Sequence, residues 1–346
     1  MSELPRVAIF GAGSIGCYIG GWLLQTYNEA PERLLFIGRD TLKAKLESGL
    51  KVTDYNGNSF VSHSISSVMS TGQAEEQTSV PIDILLVTIK CTAINKCIDQ
   101  LSKFITEKTV IVCLQNGIGS EKPIKEHFTK NNIVCGVVGF NSLEVETNHY
   151  HRGTAGEVII EDLNLPVINK LINILNQVNI ETELTQQIDA IRWGKLLLNL
   201  NNVVNALSGV PLKEELSDRK YRVVLAQAMR EVLNTLKRAN ITPAKLTAVS
   251  PNLLPFILKL PTPIFKLVAN KMLAIDPLAR SSMWYDIENG VETEIDFING
   301  AILAIAQKYH TQTPINLQLV KLMHKAQKNS TGSPKFNADD LYKMLF

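Results

Sequence analysis

The chain has 346 residues, 45% hydrophobic and 20% charged, and its 35 Lys and Arg nearly balance 33 Asp and Glu, for a net charge of +2. That length suits two domains with a substantial core, and the even charge gives no reason to expect a nucleic acid or acidic membrane as partner. No uninterrupted run of about 18 apolar residues is present, so no membrane span is expected. Five cysteines (Cys17, Cys91, Cys97, Cys113, Cys135) carry no C-x-x-C pair. They read as reduced thiols without a metal site, and the absence of a signal-peptide pattern points to the cytoplasm.

The first element is Val7-Ala8-Ile9-Phe10, an apolar run of strand length. It leads into Gly11-Ala12-Gly13-Ser14-Ile15-Gly16, which fits G-x-G-x-x-G, and then into an apolar helix over Cys17–Leu24. In that context Gly11 permits the bend, Gly13 lets backbone approach a pyrophosphate and Gly16 lets helix pack on strand. The helix N-terminus offers N–H donors and a positive dipole end to the phosphates. Leu34–Ile37 reads as a second parallel strand, ending in Gly38-Arg39-Asp40. Here NAD-specific sites place an acidic residue for the ribose 2′-hydroxyl, whereas the Arg39 guanidinium suits a 2′-phosphate, which favours NADP. Residues 50–65 alternate around Asn56-Gly57 and predict a hairpin beside the sheet. Gln73–Ser79 predicts a polar loop.

Strands are then predicted over Ile82–Ile89, Val110–Leu114 and Val134–Val138. Lys90, Asn116 and Ser142 fall just beyond their carboxyl ends, where ligands sit in open parallel sheets. Lys90 suits a phosphate or ribose, Asn116 a nicotinamide ribose or substrate oxygen, and Ser142 the wall of the same crevice. A strand over Val158–Ile160 and an amphipathic helix over Val167–Val178 close the first region. A domain boundary is expected near residue 185, giving domains 1–185 and 186–346.

The second region reads as helical. A helix over Ile188–Leu207 is apolar over most of its surface, yet Lys195, Asn199 and Asn202 recur at i, i+4 and i+7 and share one face. A buried ammonium is expensive unless paired or functional. A long helix follows over Leu216–Asn240. Residues 243–277 carry six prolines among Leu, Ile and Phe, reading as short helices that pack in the core, cover a cleft or form a subunit contact. Ser281 or Ser282 suits a helix cap, as does Thr293 before the next helix. Gly332-Ser333-Pro334 breaks the chain ahead of a short terminal helix.

The set GAGSIG, LLVTIK ending in Lys90, QNGIG with Asn116, WGKLLLN with Lys195 and Asn199, and SSMWYDI…TEIDFINGAI with Ser282 and Glu294 resembles the ketopantoate reductase (2-dehydropantoate 2-reductase) family, in order over nearly the whole chain. The resemblance implies an α/β fold, an N-terminal Rossmann-type doubly wound parallel sheet followed by an all-α C-terminal domain, with a cleft between them. It implies NADPH-dependent reduction of 2-dehydropantoate to (R)-pantoate, on the way to pantothenate and coenzyme A. Gly11 to Gly16 would carry the pyrophosphate, with Arg39 and Lys90 near the adenosine phosphate end and Asn116 near the nicotinamide. Lys195 matches the proton donor, Asn199 and Ser282 match substrate-binding positions, and Glu294 matches a carboxylate close to cofactor and substrate.

Two departures leave the exact 2-oxo acid open. Ala279-Arg280 stand where family members often carry Asn, and Val203 stands where some carry a second Asn on the lysine helix, with Asn202 and Asn205 nearby. Arg280 suits a grip on a carboxylate. Rival readings are a reductase of another 2-oxo acid, a related two-domain hydroxyacid dehydrogenase, and a non-catalytic NADP-sensing protein. The apolar proline-rich region is compatible with a homodimer.

Overall fold

Val7 and Ile9 enter one hydrophobic core while Ala8 and Phe10 enter another. Side chains alternate along a strand, so one buried on both faces needs apolar residues at every position; the unbroken VAIF follows. The computed structural model describes residues 4–63, 65, 67–71, 81–270, 276–329 and 331–346. The expected Gln73–Ser79 loop lies outside the described residues. The chain divides into two compact units, Met1–Asn116 with Ser120–Ile188 and Gly117–Gly119 with Asp189–Phe346.

The strands of the first unit are, in chain order, β1 (Val7–Phe10), β2 (Leu34–Gly38), β3 (Leu50–Asp54), β4 (Ser59–Ser62), β5 (Val68–Ser70) and β6 (Ile84–Val87). There follow β7 (Val110–Cys113), β8 (Ile133–Val138), β9 (Ser142–Glu146), β10 (His149–Arg152), β11 (Val158–Glu161) and β12 (Thr182–Thr185). Among the described residues, eight of them form one sheet in the order β12-β11-β8-β7-β6-β1-β2-β5. Its pairings are parallel except β11 with β8. The order runs outward in both directions from β1 and β6, which makes their boundary the topological switch point of a Rossmann-type doubly wound sheet. The Ser14–Thr26 and Pro166–Gln177 helices contribute to the core that takes Val7 and Ile9. The Ile94–Ser102 and Lys122–His127 helices contribute to the other.

The hairpin predicted over residues 50–65 forms, with β3 antiparallel to β4 and the Asp54 carboxylate accepting from the Asn56 and Asn58 N–H groups at 2.9 Å each. It does not extend the main sheet. It belongs to a separate four-stranded sheet, β4-β3-β10-β9, in which β3 runs parallel to β10.

The second unit is helical, and three sequence expectations are corrected there. The helix predicted over Ile188–Leu207 is two, Ile188–Asn199 and Asn201–Ser208, parted at Leu200. The helix predicted over Leu216–Asn240 is also two, Leu212–Ser217 and Arg219–Arg238. Asp218 between them caps the second by accepting from the Lys220 N–H. Thr293 does not cap: its hydroxyl donates to Gln327 Oε1 at 2.8 Å, and Glu294 is the N-cap of the Ile295–Lys308 helix. Of the two serines, Ser281 caps the Ser282–Glu288 helix.

The core of this unit joins Leu196, Leu197, Leu200, Val203 and Leu207 to Val224, Met229, Ile298, Ile302 and Met323. Among its described residues the proline-rich stretch holds two short α-helices, Leu254–Lys259 and Thr262–Val268, each with a proline in its first turn, a position that needs no backbone donor. Leu254, Leu258 and Phe265 enter the core, whereas Phe256, Leu267 and Leu278 stay exposed. No helix among the described residues is long and apolar enough to cross a membrane.

Candidate active site

Gly11 ends β1 at φ +96°, and a Cβ there would lie 2.6 Å from the Ile89 backbone nitrogen. A Cβ on Gly16 would lie 2.6 Å from the Gly11 carbonyl oxygen. Both positions are closed to side chains by the protein itself. Gly13 is different: a Cβ there meets nothing within 4 Å. Gly13 is also the N-cap of the Ser14–Thr26 helix, and no side chain caps that end. The turn therefore combines open space at Gly13 with first-turn N–H groups that a helix leaves unpaired, at the positive end of its dipole. These features fit the pyrophosphate of a dinucleotide.

The neighbouring strand ends meet this turn. Thr88, one residue past β6, donates its hydroxyl to the Gly11 carbonyl at 2.6 Å and so fixes the turn to the switch point. Lys90 is exposed two residues on. Cys91 donates its thiol to the Asn116 carbonyl at 2.8 Å, which ties the chain after β6 to the chain after β7. Beside Asn116, both amide atoms of Gln115 are buried without a hydrogen-bond partner. Ser142 begins β9 and is buried; its hydroxyl points to the Ser14 carbonyl at 3.4 Å. Arg39 is exposed at the N-cap of the Asp40–Leu46 helix, and the adjacent Asp40 carboxylate accepts from the Ser70 hydroxyl.

In the helical unit, Lys195, Asn199 and Asn202 are each partly buried while Leu196, Leu197, Leu200 and Val203 around them are fully buried. Burial pushes the Lys195 ammonium down to about 8, and the Glu294 carboxylate acts in the opposite direction. Glu294 is held at its helix start next to Thr293, whose side chain is pinned to Gln327. Ser282 is exposed at the first position of its helix. The Ile118 N–H, within the Gly117–Gly119 segment of this unit, donates to the Phe297 carbonyl at 3.0 Å.

Arg280 donates to the Gly209 carbonyl at 2.7 Å and lies over the Trp284 ring, 4.5 Å from its centroid. Gly209 is the left-handed C-cap of the Asn201–Ser208 helix. The guanidinium is thus engaged by a backbone carbonyl on one side and an indole face on the other.

Thr88, Cys91 and Gln115 were not singled out from sequence. The readable signal for Thr88 was a hydroxyl at the end of the apolar LLVTIK strand; its contact with the glycine turn is visible only in the fold.

A Rossmann-type sheet with an open glycine turn at its switch point, followed by a helical unit with a desolvated lysine, is the layout of a two-unit oxidoreductase. The family model described as ketopantoate reductase PanE/ApbA matches residues 7–164, and that for the ketopantoate reductase PanE/ApbA C terminal matches residues 187–327. The chain belongs to the ketopantoate reductase PanE/ApbA family. A 2-dehydropantoate 2-reductase of Lactococcus lactis subsp. lactis (strain IL1403) is 25% identical over 331 residues, spanning 93% of this chain and 98% of its own. The crystal structure of a PanE/ApbA family ketopantoate reductase from Ralstonia eutropha JMP134 shares the fold with a TM-score of 0.76 at 20% identity, over 94% of this chain and 99% of its own. A D-mandelate dehydrogenase solved with NADH and anilino(oxo)acetate has a TM-score of 0.75 at 22% identity, over the same shares of the two chains.

Proposed function

We propose that this protein reduces 2-dehydropantoate to (R)-pantoate with NADPH, a step of pantothenate and coenzyme A biosynthesis. The observation that carries the reading is the desolvated Lys195 under the influence of Glu294, in a chain whose two parts both match the ketopantoate reductase family. The nicotinamide cofactor, when bound, supplies the hydride that adds to the ketone carbon.

The rest falls to the chain's own residues. Gly11 to Gly16 (Gly11, Ala12, Gly13, Ser14, Ile15, Gly16) hold the pyrophosphate through backbone N–H groups, and Arg39 binds the 2′-phosphate with Lys90 nearby. Asn116 holds the nicotinamide ribose or a substrate oxygen, and Ser142 lines the same crevice. Lys195, as ammonium, donates a hydrogen bond to the ketone oxygen and hands over its proton as negative charge develops there. It leaves the step as a neutral amine and is reprotonated from water. A lysine lowered to about 8 suits this: it is charged at neutral pH but gives up its proton more readily than an exposed lysine. Glu294 preserves the charged form and Asn199 and Ser282 fix the substrate's polar groups.

The fold is shared with proteins named for different acids, so a substrate panel is the test. Purified protein is assayed for NADPH consumption with 2-dehydropantoate beside other 2-oxo acids, and with NADH in place of NADPH. Preferred turnover of 2-dehydropantoate with NADPH supports the reading. Preferred turnover of another oxo acid overturns the substrate and keeps the chemistry. Tight NADPH binding without turnover of any oxo acid overturns the enzyme reading in favour of an NADP sensor.

A further inference from the structure

Asn205, on the inward side of the Asn201–Ser208 helix, is fully buried. Its amide is used on three sides. Nδ2 donates to the Val210 carbonyl at 2.9 Å and to Glu215 Oε2 at 2.8 Å, and Oδ1 accepts from the Ser281 N–H at 2.8 Å. Ser281 in turn donates its hydroxyl to the Asn202 carbonyl at 3.1 Å and accepts from the Trp284 N–H at 3.2 Å. One buried amide thus pins the turn that presents Ser282 to the helix next to the one carrying Lys195 and Asn199.

Glu215 is also buried, and the side chain of Asn201 lies in hydrogen-bonding reach of its carboxyl. Yet Glu215 Oε1 and Asn201 Oδ1 are both buried acceptors without a partner. A single proton resolves this. Placed on Oε1 and donated to Asn201 Oδ1, it satisfies both atoms and removes a charge from the interior. Burial pushes the Glu215 carboxyl up to about 8, against the Asn205 and Asn201 side chains, which act to lower it.

We infer that Asn205 and Glu215 are positioning residues for the substrate: a neutral Glu215 carboxylic acid bridges Asn201 and Asn205, and Asn205 holds the Ser281–Ser282 turn in the place that sets affinity for the 2-oxo acid. The inference rests on the reading above in which Ser282 touches substrate. The neutral acid acts as donor through one oxygen and acceptor through the other, a pattern that glutamine reproduces and alanine does not.

The test compares Asn205→Ala, Glu215→Ala and Glu215→Gln with wild type. KM and kcat are read for the 2-oxo acid that the substrate panel selects, and NADPH affinity by fluorescence titration. Asn205→Ala and Glu215→Ala are expected to raise KM about tenfold, with kcat within about threefold and NADPH affinity unchanged. Glu215→Gln is expected to stay within about twofold of wild type. Unchanged KM in the alanine variants, with only a lower melting temperature, would make the cluster a structural brace and overturn the inference. So would a Glu215→Gln variant as impaired as Glu215→Ala.

Infrared spectroscopy at pH 7 gives a readout independent of turnover and of whether Asn205→Ala folds. Wild type should show the carbonyl stretch of a protonated carboxylic acid that Glu215→Gln lacks. Absence of that band overturns the neutral bridge. A wild-type protein that reduces no 2-oxo acid overturns the functional reading and with it the substrate role; the band still decides the bridge.

Discussion

Glu294 and burial pull the Lys195 ammonium in opposite directions, and burial prevails, leaving the group at about 8. A proton donor must start protonated, so the rate of oxo-acid reduction should fall as pH rises through about 8, and the reverse oxidation should rise there. Glu294→Gln removes the opposing influence, and the falling limb should move to lower pH. A limb that stays in place would detach Glu294 from Lys195. The native group also binds its proton less tightly than in the unfolded chain. Lys195 therefore costs stability below pH about 8, and the cost fades as pH rises toward its ordinary value of about 10.4.

Two glycines of one motif should respond oppositely to alanine. Gly11→Ala meets φ +96° and the Ile89 backbone, and should lower stability by more than about 2 kcal/mol in urea denaturation. Gly13→Ala meets open space at an extended backbone, φ −83°. It should cost under about 1 kcal/mol while weakening NADPH binding at least about tenfold. Equal loss of binding and stability in both variants would contradict a ligand role for Gly13.

Arg39 is exposed, and the neighbouring Asp40 is occupied by Ser70. Arg39→Ala should raise the KM for NADPH about tenfold and leave that for NADH nearly unchanged, since only NADPH carries the 2′-phosphate. Equal effects on both cofactors would place the phosphate elsewhere.

Glu231 ties the Arg219–Arg238 helix to the start of the Pro314–Asn329 helix. Its carboxylate accepts from the Ile315 N–H at 2.9 Å, the Asn316 N–H at 3.0 Å and Asn316 Nδ2 at 2.7 Å. Burial raises this carboxyl while the three donors lower it. Glu231→Ala leaves those buried donors unsatisfied and should cost about 2–3 kcal/mol by urea denaturation. A loss below about 0.5 kcal/mol would show that water replaces the carboxylate there.

The β1–turn–helix unit was legible in the sequence because each glycine answers a local demand. Lys195 was legible because an ammonium in a leucine-rich helix needs a reason. The second sheet was not: β10, HYHR, pairs with β3 about a hundred residues earlier, and the SLEVE strand buries only Ser142. Nor was the break at Leu200, whose dihedrals remain helical (φ −58°, ψ −21°). Asp218 did carry a readable N-cap signal, masked by helix-forming residues on both sides. Asn205 with Glu215 escaped notice because the pair meets only after the chain turns at Gly209 and Pro211.

The central claim is that Lys195 supplies the proton. It is tested most directly by the single-turnover rate of Lys195→Ala with NADPH and 2-dehydropantoate, beside its affinity for NADPH. The account predicts a rate lowered about 10²–10⁴-fold with NADPH affinity unchanged. A variant that reduces the oxo acid at the wild-type rate would contradict it.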